Sequence, residues 1–286
     1  MSLRDSVKSR MPGLAARIRR MGRFRFLLKA RQVREEGARF REEPVNVARF
    51  VLFDPETHSY SYELGNRDEL VAFCASLLDI ERSEAAAYVA ETDSDPELGP
   101  RLRRRTFARI DAKWRMPLGN RLLWYVVARA VKPRLAVETG IFDGLGSLML
   151  LRALERNAAE GVDGRLLSID LDPQAGRVVP ERLRDRWEPG FGDILTDLAP
   201  ALRGREVDMM IHDSVHEERF QRFEFGLALE KAGDPLYVVD CSGLMLPVLR
   251  ELCDGHGGRH EYFLERPARH FYKPPGTSVA VFGRGG

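Results

Sequence analysis

The chain has 286 residues, 44% of them hydrophobic and 31% charged, enough apolar material for one sizeable domain with an appendage. Its longest apolar stretch, LLWYVVA at 122–128, is too short to cross a bilayer. The net charge of +2 conceals an asymmetry, because residues 1–41 hold 13 Lys/Arg against 3 Asp/Glu while the remainder holds 32 against 40.

In the basic arm, Leu14, Ile18, Met21, Phe24 and Leu28 recur at three- and four-residue spacing among arginines, the pattern of an amphipathic helix. Such a helix packs on its own body or on a sister subunit in a homo-oligomer, or lies on an anionic membrane as a peripheral contact. No aromatic interleaving or base-reading motif accompanies the arginines, so nucleic acid is not an expected partner. RFVLFDP (49–55) and SYSYEL (59–64) read as two short strands around a turn. DELVAFCASLL (68–78) and SEAAAYVAE (83–91) read as helices, the second capped by Ser83. TDSDPELGP (92–100) is turn-rich, and RLLWYVVARAV (121–131) reads as a helix leading to Pro133. The expected organisation is a basic arm over 1–42, a mostly helical cap or oligomerisation region over 43–130, and a main domain over 131–286.

From residue 134 the rhythm becomes strand, turn, helix. Apolar strands read RLAVET (134–139), RLLSID (165–170), VDMMIH (207–212) and PLYVVD (235–240), with helical stretches at 147–159 and 216–232 between them. That alternation predicts an α/β, doubly wound, mostly parallel sheet covered on both faces. RHEYFLE (259–265) and TSVAVF (277–282) flank a Pro/Gly turn and predict a terminal antiparallel hairpin. Cys74, Cys241 and Cys253 lie far apart without CxxC spacing, which argues against a disulfide framework or a cysteine zinc site. With no apolar run of secretory length near the N-terminus, a cytoplasmic location is expected.

AVETGIFDGLGSLML (136–150) carries the chemistry. A buried strand breaks into three glycines, which predicts a sharp turn with something close against its backbone. Ligands of open α/β sheets bind beyond the carboxyl ends of the strands, where these glycines fall. The GxxxGxG spacing is not the dinucleotide fingerprint, and no GK pair occurs, so a Walker loop is excluded. Asp170 ends the second strand, where a carboxylate can accept both hydroxyls of a ribose. Gly192-Asp193 offers a second acid suited to an adenine edge, or merely a cap for a helix beginning near Thr196. Asp213 follows the strand VDMMIH.

These segments together resemble a class I S-adenosylmethionine-dependent methyltransferase, a Rossmann-like fold of seven strands. ETGIFDGLGS resembles the family's E-x-G-x-x-x-G motif at Glu138, Gly140 and Gly144, LLSIDLDP the ribose motif at Asp170, FGDILTDL the adenine-side motif, and MMIHDSVH the fourth motif at Asp213. The resemblance covers about residues 130–286 and implies that Glu138, Thr139, Gly140, Gly144, Ser147, Asp170, Leu171, Gly192, Asp193 and Asp213 hold S-adenosylmethionine.

Methyl transfer to a hydroxyl needs alignment and removal of a proton, by a base poised near neutral pH or by a metal. His212 and His216 stand four apart, but His212 belongs to the strand, so the pair should not share a helix face as zinc ligands. Asp213-x-x-His216 resembles the D-x-x-H of the metal-dependent macrocin and cephalosporin-tailoring O-methyltransferases, which implies His216 as the general base and Asp213 with Asp240 as Mg²⁺ ligands. That branch ends its fifth strand in two adjacent acids, whereas here Cys241 follows Asp240, and a thiol suits Mg²⁺ poorly. The expected activity is O-methylation of a sugar or natural-product small molecule. A non-catalytic binding protein on the same fold, or an NAD(P)-dependent oxidoreductase, are the rivals; the second is disfavoured by the glycine spacing and by the absence of YxxxK.

Overall fold

The computed structural model describes residues 25–35, 44–52, 61–99 and 117–283, so most of the basic arm lies outside the described residues. Contacts divide the chain into two compact units: residues 1–65, 95–119 and 266–274, and residues 66–94, 120–265 and 275–286.

In the first unit, helices α1 (Arg25–Glu35) and α2 (Pro44–Leu52) pack together. Phe50 and Phe271 form its buried centre, rings edge to face at 4.8 Å, with Val33, Val47, Val51 and Tyr272 around them. The expected strand at 49–55 is corrected here: its described part, 49–52, ends α2. Val47, Phe50 and Val51 share one face only at helical spacing, and Pro44 stands at the first helical position, where its missing N–H costs nothing. The second expected strand is reduced to one bridge, Leu64 with Pro267, among the described residues 61–64.

The second unit holds helices α3 (Arg67–Leu78), α4 (Arg82–Asp93) and α5 (Arg121–Val131), which pack on one another. Ser83 is not the cap of α4. Glu81 takes the extended N-cap conformation, and its carbonyl accepts the amides of Glu84 and Ala85. Arg129, 3% exposed, ties three helices together by donating to Glu91 of α4 and to Glu160 at the end of α6 (Leu145–Ala159).

The sheet of this unit comprises β1 (Leu135–Thr139), β2 (Arg165–Asp170), β3 (Trp187–Phe191), β4 (Val207–His212), β5 (Ala232–Asp240), β6 (Arg259–Phe263) and β7 (Thr277–Phe282). Its order is β3-β2-β1-β4-β5-β7-β6, with β1 to β5 parallel and β7 antiparallel to both neighbours. The predicted mostly parallel, seven-stranded sheet with its reversed end is therefore present. β3 has no strand-like sequence, because WEPGF contains Pro and Gly; an edge position tolerates both, and buried Trp187 anchors it. Helices α7 (Ile194–Ala201), α8 (Glu218–Glu230) and α9 (Val248–His256) complete the windings. β1 is buried at all five positions, as a strand covered on both faces must be. Among the described residues, no helix is long and apolar enough to cross a membrane.

Register brings the carboxyl ends to one edge: Thr139 pairs with Ile169 and His212, His212 with Asp240, and Asp170 with Phe191. All five loops that carry the candidate residues leave the sheet there.

Candidate functional site

The glycine turn after β1 is shaped by the protein's own atoms. Gly140 has φ +89°, and a Cβ there would overlap the Asp213 carbonyl, whose residue is held close by its amide bonding to the Thr139 carbonyl at 2.9 Å. Gly144 has φ +91°, and its Cβ would lie 2.7 Å from the Gly176 Cα. At Gly146 a Cβ would sit 2.5 Å from the Trp124 ring and 2.7 Å from Glu138 Oε1. Two glycines thus permit left-handed backbone and the third lets α6 approach α5.

Asp170 pins this turn. Its Oδ2 accepts the amides of Ile141 and Phe142, each at 2.8 Å, and its Oδ1 accepts the amide of Asp172 at 2.8 Å. A carboxylate offers about four lone-pair sites, so one site remains, on Oδ1. The sequence reading allowed this acid two ribose hydroxyls; the turn leaves room for one.

Glu138 and Thr139 face inward. Glu138, 1% exposed, accepts from Ser147 Oγ at 2.5 Å and Ser168 Oγ at 2.8 Å. Burial raises its pKa to about 7, against the lowering by the two serines. Thr139 Oγ1 donates to Glu224 at 2.6 Å. Ser147 is likewise wholly buried, so Glu138 is tied to α6 on one face of β1 while Thr139 is tied to α8 on the other. Asp193 caps α7 by accepting the Leu195 amide at 2.9 Å, and Gly192 leaves space for the Asp197 carboxylate. The cap expected for Asp193 is present, and it engages Oδ1.

The edge itself is apolar. Among the described residues, Phe142, Leu171, Phe191, Val215, Leu244 and Met245 are six of the ten exposed large hydrophobic residues, and they stand at or after the ends of β1 to β5. Leu171 and Phe191 flank Asp170, while Val215, Leu244 and Met245 lie beyond β4 and β5. Apolar side chains gathered at one rim mark a binding edge.

Beyond β4 a polar network is buried. His212 is wholly buried, with Nδ1 2.7 Å from Glu224 Oε2. Glu224 also accepts from Ser214 Oγ at 3.0 Å. Asp240 accepts from Gln221 Nε2 at 3.0 Å and from Ser242 through Oγ at 2.8 Å and N at 2.9 Å. His216 is exposed, its ring 5.2 Å from that of His212. Although its rim is open to solvent, desolvation of the ring by the surrounding chain, and then the neighbouring His212, hold its pKa below the usual imidazole value. Asp213 lies 3.9 Å from Arg121, and burial raises its pKa to about 6.

The expected Mg²⁺ ligands therefore part company. Asp240 groups with His212 and His216, one ligand atom of each lying within 4.8 Å of the others, and Asp213 is outside that set. Two imidazoles and a carboxylate do not suit Mg²⁺, which takes oxygen ligands. Cys241 is buried with a thiol pKa raised well above its ordinary value, chiefly by burial, and offers no thiolate. The two imidazoles do not share a helix face, as expected, yet the turn between β4 and α8 brings their rings together. Sequence reading missed Gln221 and Glu224. Their signal is polar residues three apart on the buried face of α8, beside Phe220, Phe225 and Ala228.

A family model described as a methyltransferase domain matches residues 137–235, spanning the glycine turn, Asp170, Asp193 and the β4 corner. That stretch, about a third of the chain, is thus similar to a methyltransferase domain. The chain is similar in structure to an O-methyltransferase from Bacillus cereus in complex with SAH (14% identity, TM-score 0.47, 69% of this chain and 97% of that one). It is also similar to a methyltransferase from Geobacter sulfurreducens (19%, 0.46, 70% and 97%) and to the O-methyltransferase TomG from Streptomyces achromogenes, solved with SAM (18%, 0.44, 84% and 96%). No curated protein matches the chain.

Proposed function

We propose that the chain is an S-adenosylmethionine-dependent methyltransferase acting on a hydroxyl of a small molecule, a sugar or natural product. One observation carries this reading: the Asp170 carboxylate pins the glycine turn and keeps a single acceptor site, with exposed Leu171 next in the chain and exposed Phe191 paired with Asp170 across β2 and β3. That arrangement suits a nucleoside with one ribose hydroxyl on Oδ1 and an adenine between the two apolar side chains. The backbone of Gly140 to Gly144 borders the same space, with Asp193 on the adenine side. The donor, when bound, supplies a sulfonium methyl for in-line displacement. The positive sulfonium is favoured by the nearby Asp213 carboxylate. The acceptor lies toward Val215, Leu244 and Met245, which suit a hydroxyl carried on an apolar scaffold. Proton removal falls to the corner after β4, where His216 is the exposed imidazole and its pKa is held below the usual value, which favours the basic form.

Calorimetric titration of the full chain with S-adenosylhomocysteine and with NAD tests the pocket. Saturable binding of the first and none of the second is expected; the reverse result transfers the site to the oxidoreductase reading. Transfer of a radiolabelled methyl group across a panel of hydroxylated acceptors then separates an enzyme from a protein that only binds the donor. Cys241, which stands where the resembled branch carries a second acid, is the observation behind that second reading.

A further inference from the structure

The corner after β4 contains more than proton removal needs. His212 Nε2 is buried and has no hydrogen-bond partner, although the Nδ1 of the same ring faces Glu224. A buried polar atom left unpaired costs its full desolvation. With Nδ1–H directed at a carboxylate, the other nitrogen carries its lone pair outward, the arrangement that orients an imidazole toward a metal. Asp240 is held in the same manner. Gln221, Ser242 Oγ and the Ser242 amide fill three of its lone-pair sites and leave one.

The third donor, His216, sits in the turn between β4 and α8. One ligand atom from each of the three residues lies within 4.8 Å of the others. A tetrahedral ion about 2.1 Å from each ligand would place them roughly 3.4 Å apart, a closure within reach of the exposed His216 side chain. Two imidazoles and one carboxylate form the donor set of Zn²⁺ and its first-row neighbours, with one coordination position open. Charge points the same way, because Glu224, 2.7 Å from His212, and Asp240, in the cluster with His212 and His216, are both wholly buried carboxylates, and a dication compensates them.

We propose that His212 Nε2, His216 and Asp240 bind one divalent transition-metal ion of the Zn²⁺ class, with Glu224, Gln221 and Ser242 orienting the ligands. The site replaces the Asp213–Asp240 Mg²⁺ pair. With the ion bound, His216 is a ligand and the open position can acidify a hydroxyl; without it, His216 is the free base. Metal binding needs no methyl donor, so this inference and the proposed function fail separately.

The test is calorimetric titration of untagged, chelator-treated full-length chain with Zn²⁺ and Co²⁺, together with the visible spectrum of the Co²⁺ form. One equivalent of tight binding is expected, with a Co²⁺ band far stronger than that of the aqua ion. His216→Ala, at an exposed position, should weaken binding at least tenfold, and Glu224→Gln should weaken it about 10–100-fold through His212. His256→Ala, on the far helix α9, should leave binding unchanged. Far-UV circular dichroism confirms that each variant is folded, and should Glu224→Gln misfold, His216→Ala carries the test. Absence of stoichiometric binding, binding that survives His216→Ala, or binding lost in His256→Ala would each overturn the assignment.

Discussion

Replacing Asp170 by Asn separates its two roles. The carboxylate accepts three backbone amides and keeps one site open. Asparagine can turn its single oxygen toward Ile141 and Phe142, which leaves its NH₂ facing the Asp172 amide. One exposed hydrogen bond is then lost and two lose their charge assistance, at a cost of about 1–2 kcal/mol. For a chain of this size that lowers Tm by roughly 2–6 °C. The open Oδ1 site also becomes an amide NH₂. A hydroxyl bonded to a carboxylate there forfeits about 1.5–3 kcal/mol, so S-adenosylhomocysteine should bind about 10–100-fold more weakly. Thermal unfolding reads the first effect and calorimetry the second. A lowered Tm with donor affinity unchanged would refute the ribose contact and leave Asp170 as a brace for the turn alone.

Gly146→Ala drives a methyl group against the Trp124 ring and Glu138 and should destabilise the fold by about 1–3 kcal/mol in urea titration; an unchanged midpoint would contradict the packing of α5 on α6. Phe191→Ser removes one apolar flank and should weaken nucleoside binding several-fold while leaving Tm within a few degrees, because the side chain is 47% exposed. Glu265 is 2% exposed, its Oε2 has no hydrogen-bond partner, and burial raises its pKa to about 7 against the lowering by Thr277. The folded state then holds a proton that the unfolded chain releases near pH 4.5, so stability falls as pH rises through this window and levels off above about 7. Glu265→Gln should recover about 2–3 kcal/mol at pH 8 relative to pH 4.5, the remaining fall belonging to the other carboxyls raised by burial, Glu138, Asp213 and Asp240; a variant whose pH–stability profile overlays that of the parent would refute this.

Elements whose burial pattern is set by local periodicity were legible in the chain. β1, β2 and β4 are continuous apolar runs within a residue of their expected limits, and α5 spans the expected residues. α2 was misread because RFVLF alternates poorly with either period, and only its packing around Phe271 selects the helix. β3 was missed because WEPGF is strand only by virtue of the edge it occupies beside β2. The acids at the strand ends were legible as well, since each stands at or just after the last residue of its own apolar strand.

By itself the sequence determined a parallel sheet, a glycine turn after its first strand, and acids at the carboxyl edge, because backbone period and turn chemistry are properties of neighbours in the chain. Tertiary structure alone decided how those groups are spent: three amides from two loops on Asp170, and Asp240 grouped with His212 and His216 while Asp213 turns toward Arg121. Hydrogen-bond partners and ligand sets depend on angstrom-scale approach between residues tens of positions apart, and no local pattern carries that distance.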